Sequence, residues 1–320
     1  MELRVIIYTI IASFIISALL GPVFIPILKK LKFGQSIRTE GPMLHHKKAG
    51  TPTMGGIIIF LALLLTVFKF SPFTSNLLLL LFVTIGFGFL GFLDDFIKII
   101  RNRNLGLTAK QKLFGQLFVS LVLYYFLQRQ GHSTTIYMPG QDWGIDLKWL
   151  YLPFILFMVI AITNAVNFTD GVDGLLAGSS AISFGAFSVI ALSTGQIGVA
   201  IFGAAMVGAV LGFLVFNAHP AKVFMGDTGS LGIGGALASM AILTKTELLF
   251  VIVGAVYVFE MLSVVIQIIS FQTRGVRIFR MSPIHHHFEL SGWSEWKVVM
   301  VFWFLGFVFA GLGIYLEVLH

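Results

Sequence analysis

The chain has 320 residues, of which 57% are hydrophobic and 11% charged, against roughly 25% charged in a soluble domain. Repeated apolar runs of about 20 residues exclude a soluble enzyme and describe an all-α polytopic membrane protein. The net charge of +7 comes without any cysteine, so disulfides, thiolate metal sites and cysteine nucleophiles are excluded, and any metal must be held by oxygen or imidazole; the positive balance is assigned to loops facing an anionic membrane surface, not to nucleic acid.

Apolar windows predict about ten transmembrane helices, near 5–28, 55–70, 77–93, 113–128, 149–163, 175–193, 196–216, 230–243, 248–271 and 298–317. The first lacks a small-residue cleavage site and reads as a retained span. Between the spans, one set of loops carries 16 of the 21 Lys and Arg residues, among them Lys47, Lys48, Lys98, Lys112, Arg274, Arg277 and Arg280. The other side has Arg4, Lys69, Arg129, Lys148 and Lys245. The positive-inside rule therefore puts the first set in the cytoplasm and both termini outside, with residues 1–320 forming one integral membrane domain. The outer segment from Arg129 to Lys148 contains Pro139-Gly140 and predicts a small hairpin on the membrane. Ala204, Gly208 and Gly212 recur every four residues, a spacing for close helix packing.

Polar residues gather on the cytoplasmic side. The third apolar run ends in Asp94 and Asp95, with Lys98 three and four residues on. Carboxylates at that depth are costly unless paired or functional, and one lysine cannot neutralise two, which points to a divalent cation. Further on, Asn164, Asn167, Asp170 and Asp173 follow at intervals of three, and Gly171 and Gly174 loosen the backbone. A bent, polar helix end results, with amides for phosphate or sugar oxygens and carboxylates for a cation. Asn167-Phe-Thr matches a glycosylation acceptor by chance, since it falls on the cytoplasmic side.

The stretch from Asn217 to Ser230 delivers a third separate acid, Asp227, between Gly226 and Thr228, after Lys222 and Phe224. Scattered single acids suit magnesium, which keeps water or phosphate oxygens in its remaining positions; Asp227, Asp94 and Asp170 are the predicted ligands. The last cytoplasmic segment sets Arg274, Arg277 and Arg280 before His285, His286 and His287. Adjacent histidines diverge by about 100° on a helix, so the run suits phosphate or head-group binding better than one zinc ion.

The motifs Leu93-Asp94-Asp95, Asn164-Ala-Val-Asn-Phe-Thr-Asp-Gly, Phe224-Met-Gly-Asp-Thr-Gly-Ser and Pro283-Ile-His-His-His-Phe-Glu, in this order, resemble the phospho-N-acetylmuramoyl-pentapeptide transferases. These form a branch of the polyprenyl-phosphate N-acetylhexosamine-1-phosphate transferase superfamily, and the unbroken histidine run is similar to that branch. The resemblance implies a ten-span homodimer in the bacterial plasma membrane. It would use magnesium to transfer phospho-N-acetylmuramoyl-pentapeptide from UDP-N-acetylmuramoyl-pentapeptide to undecaprenyl phosphate, giving lipid I and UMP at the cytoplasmic face. Carried onto this chain, the resemblance implies catalytic roles for Asp94, Asp95, Lys98, Asp227 and His285. Substrate contacts fall to Lys112, Asn164, Asn167, Asp170, Asp173, Phe224, His286 and His287, with Lys110 an open alternative to Lys112 at the diphosphate.

Overall fold

The computed structural model describes residues 2–31, 50–101, 105–141 and 143–319, so Lys47 and Lys48 of the first basic loop lie outside the described residues. The helices are α1 (Glu2–Lys30), α2 (Gly56–Phe70), α3 (Ser75–Ile100), α4 (Ala109–Arg129), α5 (Tyr151–Thr169), α6 (Leu175–Ser193), α7 (Ile197–Asn217), α8 (Gly226–Leu243), α9 (Phe250–Val253), α10 (Ala255–Arg274), α11 (Ile284–Leu290) and α12 (Glu295–Ile314). A two-stranded antiparallel hairpin, β1 (Thr135–Tyr137) and β2 (Gly144–Asp146), pairs Ile136 with Ile145.

Seven of these, α1, α3, α5, α6, α7, α10 and α12, are long and apolar enough to cross a membrane. α2, α4 and α8 stand among them, so a helix coincides with every predicted span. Two boundaries differ from the sequence reading. α3 does not stop at Leu93 but runs on to Ile100, which puts Asp94 and Asp95 inside a helix. The predicted span 248–271 is broken at Gly254, between α9 and α10, where the Phe250 ring packs onto the glycine in the space a Cβ would need.

α8 is the axis of the bundle. Every residue from Thr228 to Leu243 is buried, although Gly, Ala and Ser make up much of it. Small residues let neighbouring backbones close in, which is how helices associate where apolar lipid offers no drive for burial. A Cβ at Gly232 would collide with Phe60 of α2, at Gly235 with Phe87 of α3, and at Gly234 with the Thr163 backbone of α5. The Ala204, Gly208 and Gly212 stripe does the same for α7 against α1: a Cβ on Gly208 would sit 2.2 Å from the Ile10 carbonyl. Ser13 and Ser17 donate across that contact to the Ala205 and Ala209 carbonyls, at 2.6 and 2.7 Å.

The bundle has two distinct ends. Lys245, after α8, donates to the Ser133 carbonyl beside the hairpin at 3.0 Å, so the C-terminal end of α8 and the hairpin share one end. Asp94, Asp227, Asn167 and α11 belong to the other. Large side chains such as Phe114, Phe157, Phe304 and Phe307 point outward between the two ends.

Candidate active site

At that second end, α3 and α8 touch backbone to backbone. The contact depends on Gly91, where a Cβ would lie 1.9 Å from the Asp227 carbonyl oxygen. Gly226 starts α8 with φ at 73°, and a Cβ there would lie 2.6 Å from an Asp95 carboxylate oxygen. Asp95 Oδ2 accepts from the Thr228 backbone N–H at 2.9 Å and from its hydroxyl at 2.8 Å, capping the orphan first turn of α8 from a neighbouring helix.

This packing brings Asp94, Asp95 and Asp227 together, each offering a carboxylate oxygen within 4.8 Å of the other two. Lys98 Nζ lies 2.5 Å from Asp94, 3.7 Å from Asp95 and 3.2 Å from Asp227. Lys112, one turn into α4, reaches Asp227 at 2.9 Å, whereas Lys110 is exposed. Asn167 donates to Asp227 Oδ1 at 3.0 Å and to the Ser230 hydroxyl at 2.7 Å, and the Leu107 N–H donates to Asp94 Oδ1 at 2.9 Å. Lys112 and Asn167 thus reach the same carboxylate from opposite sides.

Two unit charges this close repel by roughly 3–4 kcal/mol at an effective dielectric of about 20. Three carboxylates face two lysines, and Asp170 lies close enough to feel their field. Burial pushes the Asp170 carboxyl up to about 8, with Asp227, Asp95 and Asp173 adding to the rise. All of these donors are hard oxygens, so the set fits a magnesium-like cation that would relieve the surplus charge. The sequence-predicted ligands Asp94 and Asp227 are brought together; Asp95 completes the tight set, and Asp170 stands beside it.

A second constellation lies next to the first. Asp173 Oδ2 accepts from the Ala221 N–H at 3.1 Å and lies 3.0 Å from His219 Nδ1, which is also 2.7 Å from Glu295. Asn217 closes the loop, accepting from the Gly174 N–H at 3.1 Å and donating to the Val223 carbonyl at 3.0 Å. Half-buried Phe224 is fixed through its backbone, which pairs with Pro52 at 2.8 Å and Gly55 at 2.9 Å. Asn164 turns elsewhere, donating to Gln116 of α4 at 3.2 Å and to the Ile160 carbonyl at 2.8 Å.

The three histidines ride on α11, and their Nδ1 atoms meet three different groups. His285 Nδ1 lies 3.0 Å from Glu260 of α10, His286 Nδ1 is 2.7 Å from Glu289, and His287 Nδ1 accepts from the Arg280 N–H at 3.1 Å. Neither cluster of metal-capable side chains among the described residues includes them. His219, Glu260, Glu295, Thr228 and Ser230 take part in these networks without having been singled out from the sequence. Glu260 alone carried a signal, being the one acid in an apolar run.

Known proteins share this chain's pattern. Residues 77–245 match the family described as glycosyl transferase family 4, and residues 48–60 match the phospho-N-acetylmuramoyl-pentapeptide-transferase signature 1. Proteins named phospho-N-acetylmuramoyl-pentapeptide-transferase from Halalkalibacterium halodurans and Bacillus subtilis are 60% and 58% identical, each over 98% of both chains. One from Anoxybacillus flavithermus is 59% identical over 99% of both.

Proposed function

The chain belongs to the phospho-N-acetylmuramoyl-pentapeptide-transferase family, and from that premise we propose how its residues divide the work. The reaction transfers phospho-N-acetylmuramoyl-pentapeptide to a polyprenyl phosphate, giving lipid I for peptidoglycan synthesis. The observation that carries the assignment of residues is the Asp94–Asp95–Asp227 cluster crossed by Lys98 and Lys112. Phosphoryl transfer between two anions demands neutralisation of charge and in-line positioning more than covalent help from the protein.

In this reading Asp227 and Asp94 hold magnesium, with Asp95 nearest to complete the set and Asp170 supporting. When bound, the ion neutralises charge on the donor's diphosphate and on the leaving UMP. Lys112 meets that diphosphate, and Lys98 keeps the carboxylates apart from one another's fields. Asp94 accepts the proton of undecaprenyl phosphate as its oxygen attacks. The uridine and sugar of UDP-N-acetylmuramoyl-pentapeptide lie against Asn167, Asp173 and Phe224, with Asn164 bracing α5 against Gln116 behind them, and His285, His286 and His287 contact the phosphate or sugar region. The one-sided distribution of Lys and Arg supports a cytoplasmic active site. The homodimer rests on family resemblance and is tested by the mass of the detergent-solubilised protein.

The deciding assay incubates purified protein with undecaprenyl phosphate, magnesium and either UDP-N-acetylmuramoyl-pentapeptide or UDP-N-acetylglucosamine, and measures UMP. Release with the first donor, lost in chelator and restored by magnesium, is the expected result. Release with the second donor alone, or full turnover in chelator, overturns the reading.

A further inference from the structure

Glu260 lies in the first two turns of α10, a helix otherwise free of acids, and is completely buried. A carboxylate at such a place is expensive unless it has a partner and a task. Its partner is His285, also completely buried, whose Nδ1 is 3.0 Å from Glu260 Oε2. The two residues are 25 apart in sequence and come from different helices, so the pair is a product of the fold.

The imidazole has a second nitrogen, and its situation is unusual. His285 Nε2 is buried and has no hydrogen-bond partner. It is aimed at the turn after Asp170: a Cβ added to Gly171 would sit 2.2 Å from Nε2 and 2.7 Å from Cε1. Buried polar atoms are almost always satisfied, and exceptions call for an explanation such as a group that arrives later. Gly171 is what leaves room for this ring corner beside the acid cluster. His286, the neighbouring ring at 4.1 Å between centroids, is turned to Glu289 and does not bond that nitrogen.

We propose that Glu260 is a positioning residue that grips Nδ1 of His285 and so holds Nε2 packed against Gly171, facing the Asp170 turn where the substrate binds. A carboxylate accepting from Nδ1–H fixes both the tautomer and the orientation of an imidazole, so the opposite nitrogen becomes the working atom. The inference rests on the proposed reading of the active site and adds to it a residue from a helix with no acid in the metal cluster. A merely structural bridge between α10 and α11 would also hold the helices together, but it gives no reason for the bare Nε2.

The test is a double-mutant cycle on the full-length protein, reading UMP release and melting temperature for wild type, Glu260→Gln, His285→Ala and the double variant. Glu260→Gln is expected to lower kcat on the order of 10²-fold, since amide for carboxylate disturbs the tautomer while keeping the size. The KM for undecaprenyl phosphate and the melting temperature should hold, and the double variant should be no slower than His285→Ala. Wild-type kcat in Glu260→Gln, or losses that multiply in the double variant, overturns the proposal. If Glu260→Gln fails to fold, Gly171→Ala decides: it must slow the wild type at least tenfold yet leave His285→Ala unchanged, and any other pattern refutes the positioning role. No UMP from wild type would instead sink the reading of the reaction, so the two failures are distinguishable.

Discussion

The sharpest test of how this site is built is Gly91→Ala, a change of one methyl group that touches none of the reacting side chains. The new Cβ would lie 1.9 Å from the Asp227 carbonyl oxygen, 2.3 Å from its carbonyl carbon and 2.6 Å from the Thr228 nitrogen. Ordinary contact begins near 3.4 Å, so relief requires about 3.4 − 1.9 = 1.5 Å of separation between α3 and the start of α8. Backbone atoms cannot rotate away as a side-chain tip can, so the helices themselves must part. Overpacking of this kind costs about 1–3 kcal/mol of stability. The catalytic loss should be larger, because a shift of about 1 Å in a reacting geometry costs on the order of 10²-fold in rate. The assay is UMP release at saturating donor, with melting temperature measured alongside and Gly311→Ala, where a Cβ meets nothing within 4 Å, as the control. Wild-type kcat in Gly91→Ala would show that Asp227 need not be held against Asp94 and Asp95, and the argument from packing to catalysis would fail.

Other outcomes follow from the same structure. Asp227→Asn should abolish turnover while leaving the melting temperature near wild type, because it keeps the shape but removes charge from the centre of the cluster; a wild-type rate would reject its role in holding magnesium. In intact cells, amine labels should reach Lys245 beside the hairpin while cysteines introduced at Arg277 stay protected, and the reverse pattern would invert the proposed topology. His132 is held down to about 4 by burial and by Lys245, below its model-peptide value of 6.5. The unfolded chain therefore binds the extra proton first. Stability should be intact above about 6.5 and decline as pH falls from there towards 4. His132→Gln should flatten that decline in melting temperature, and an unchanged slope would exclude His132 as its cause.

Much of the fold was readable because membrane burial imposes long-range order on short-range composition. Apolar windows predicted each spanning helix, and the four-residue spacing of Ala204, Gly208 and Gly212 announced a close contact, though not that α1 would supply the other side. The acid cluster was legible for the opposite reason: Asp94, Asp95 and Asp227 stand out against apolar surroundings. What spacing did not reveal was which carboxylates share a point in space. Asp95 is not among the ligands predicted from the sequence, yet the Gly91 contact brings it with Asp94 and Asp227 into one cluster, while the predicted ligand Asp170 at the end of α5 is left to one side. Asn164 illustrates the limit of a periodic pattern. It shares a face with Asn167, but one turn back along α5 that face meets Gln116, and the amide is committed there.

Close backbone approach lets a central helix of weak hydropathy be thoroughly buried. α8 is held by the nearness of its neighbours, with Gly229 against Gly56, Gly232 against Phe60 and Gly234 against Thr163, so oily side chains are not required. At its first turn the bundle uses that nearness for chemistry instead of cohesion. Where the next residues would give further packing, Gly91 and Gly226 bring backbone up to carboxylate, and Asp95 replaces the missing capping residue of α8. A helix that begins on another helix's acid cannot shift without moving Asp227 with it. The rigidity of the core is thereby passed to the three carboxylates, which repel one another and would splay apart if they were carried on a loop. Fixed repulsion of this kind suits a divalent cation, which would relieve it and whose charge would in turn favour an anionic diphosphate beside it.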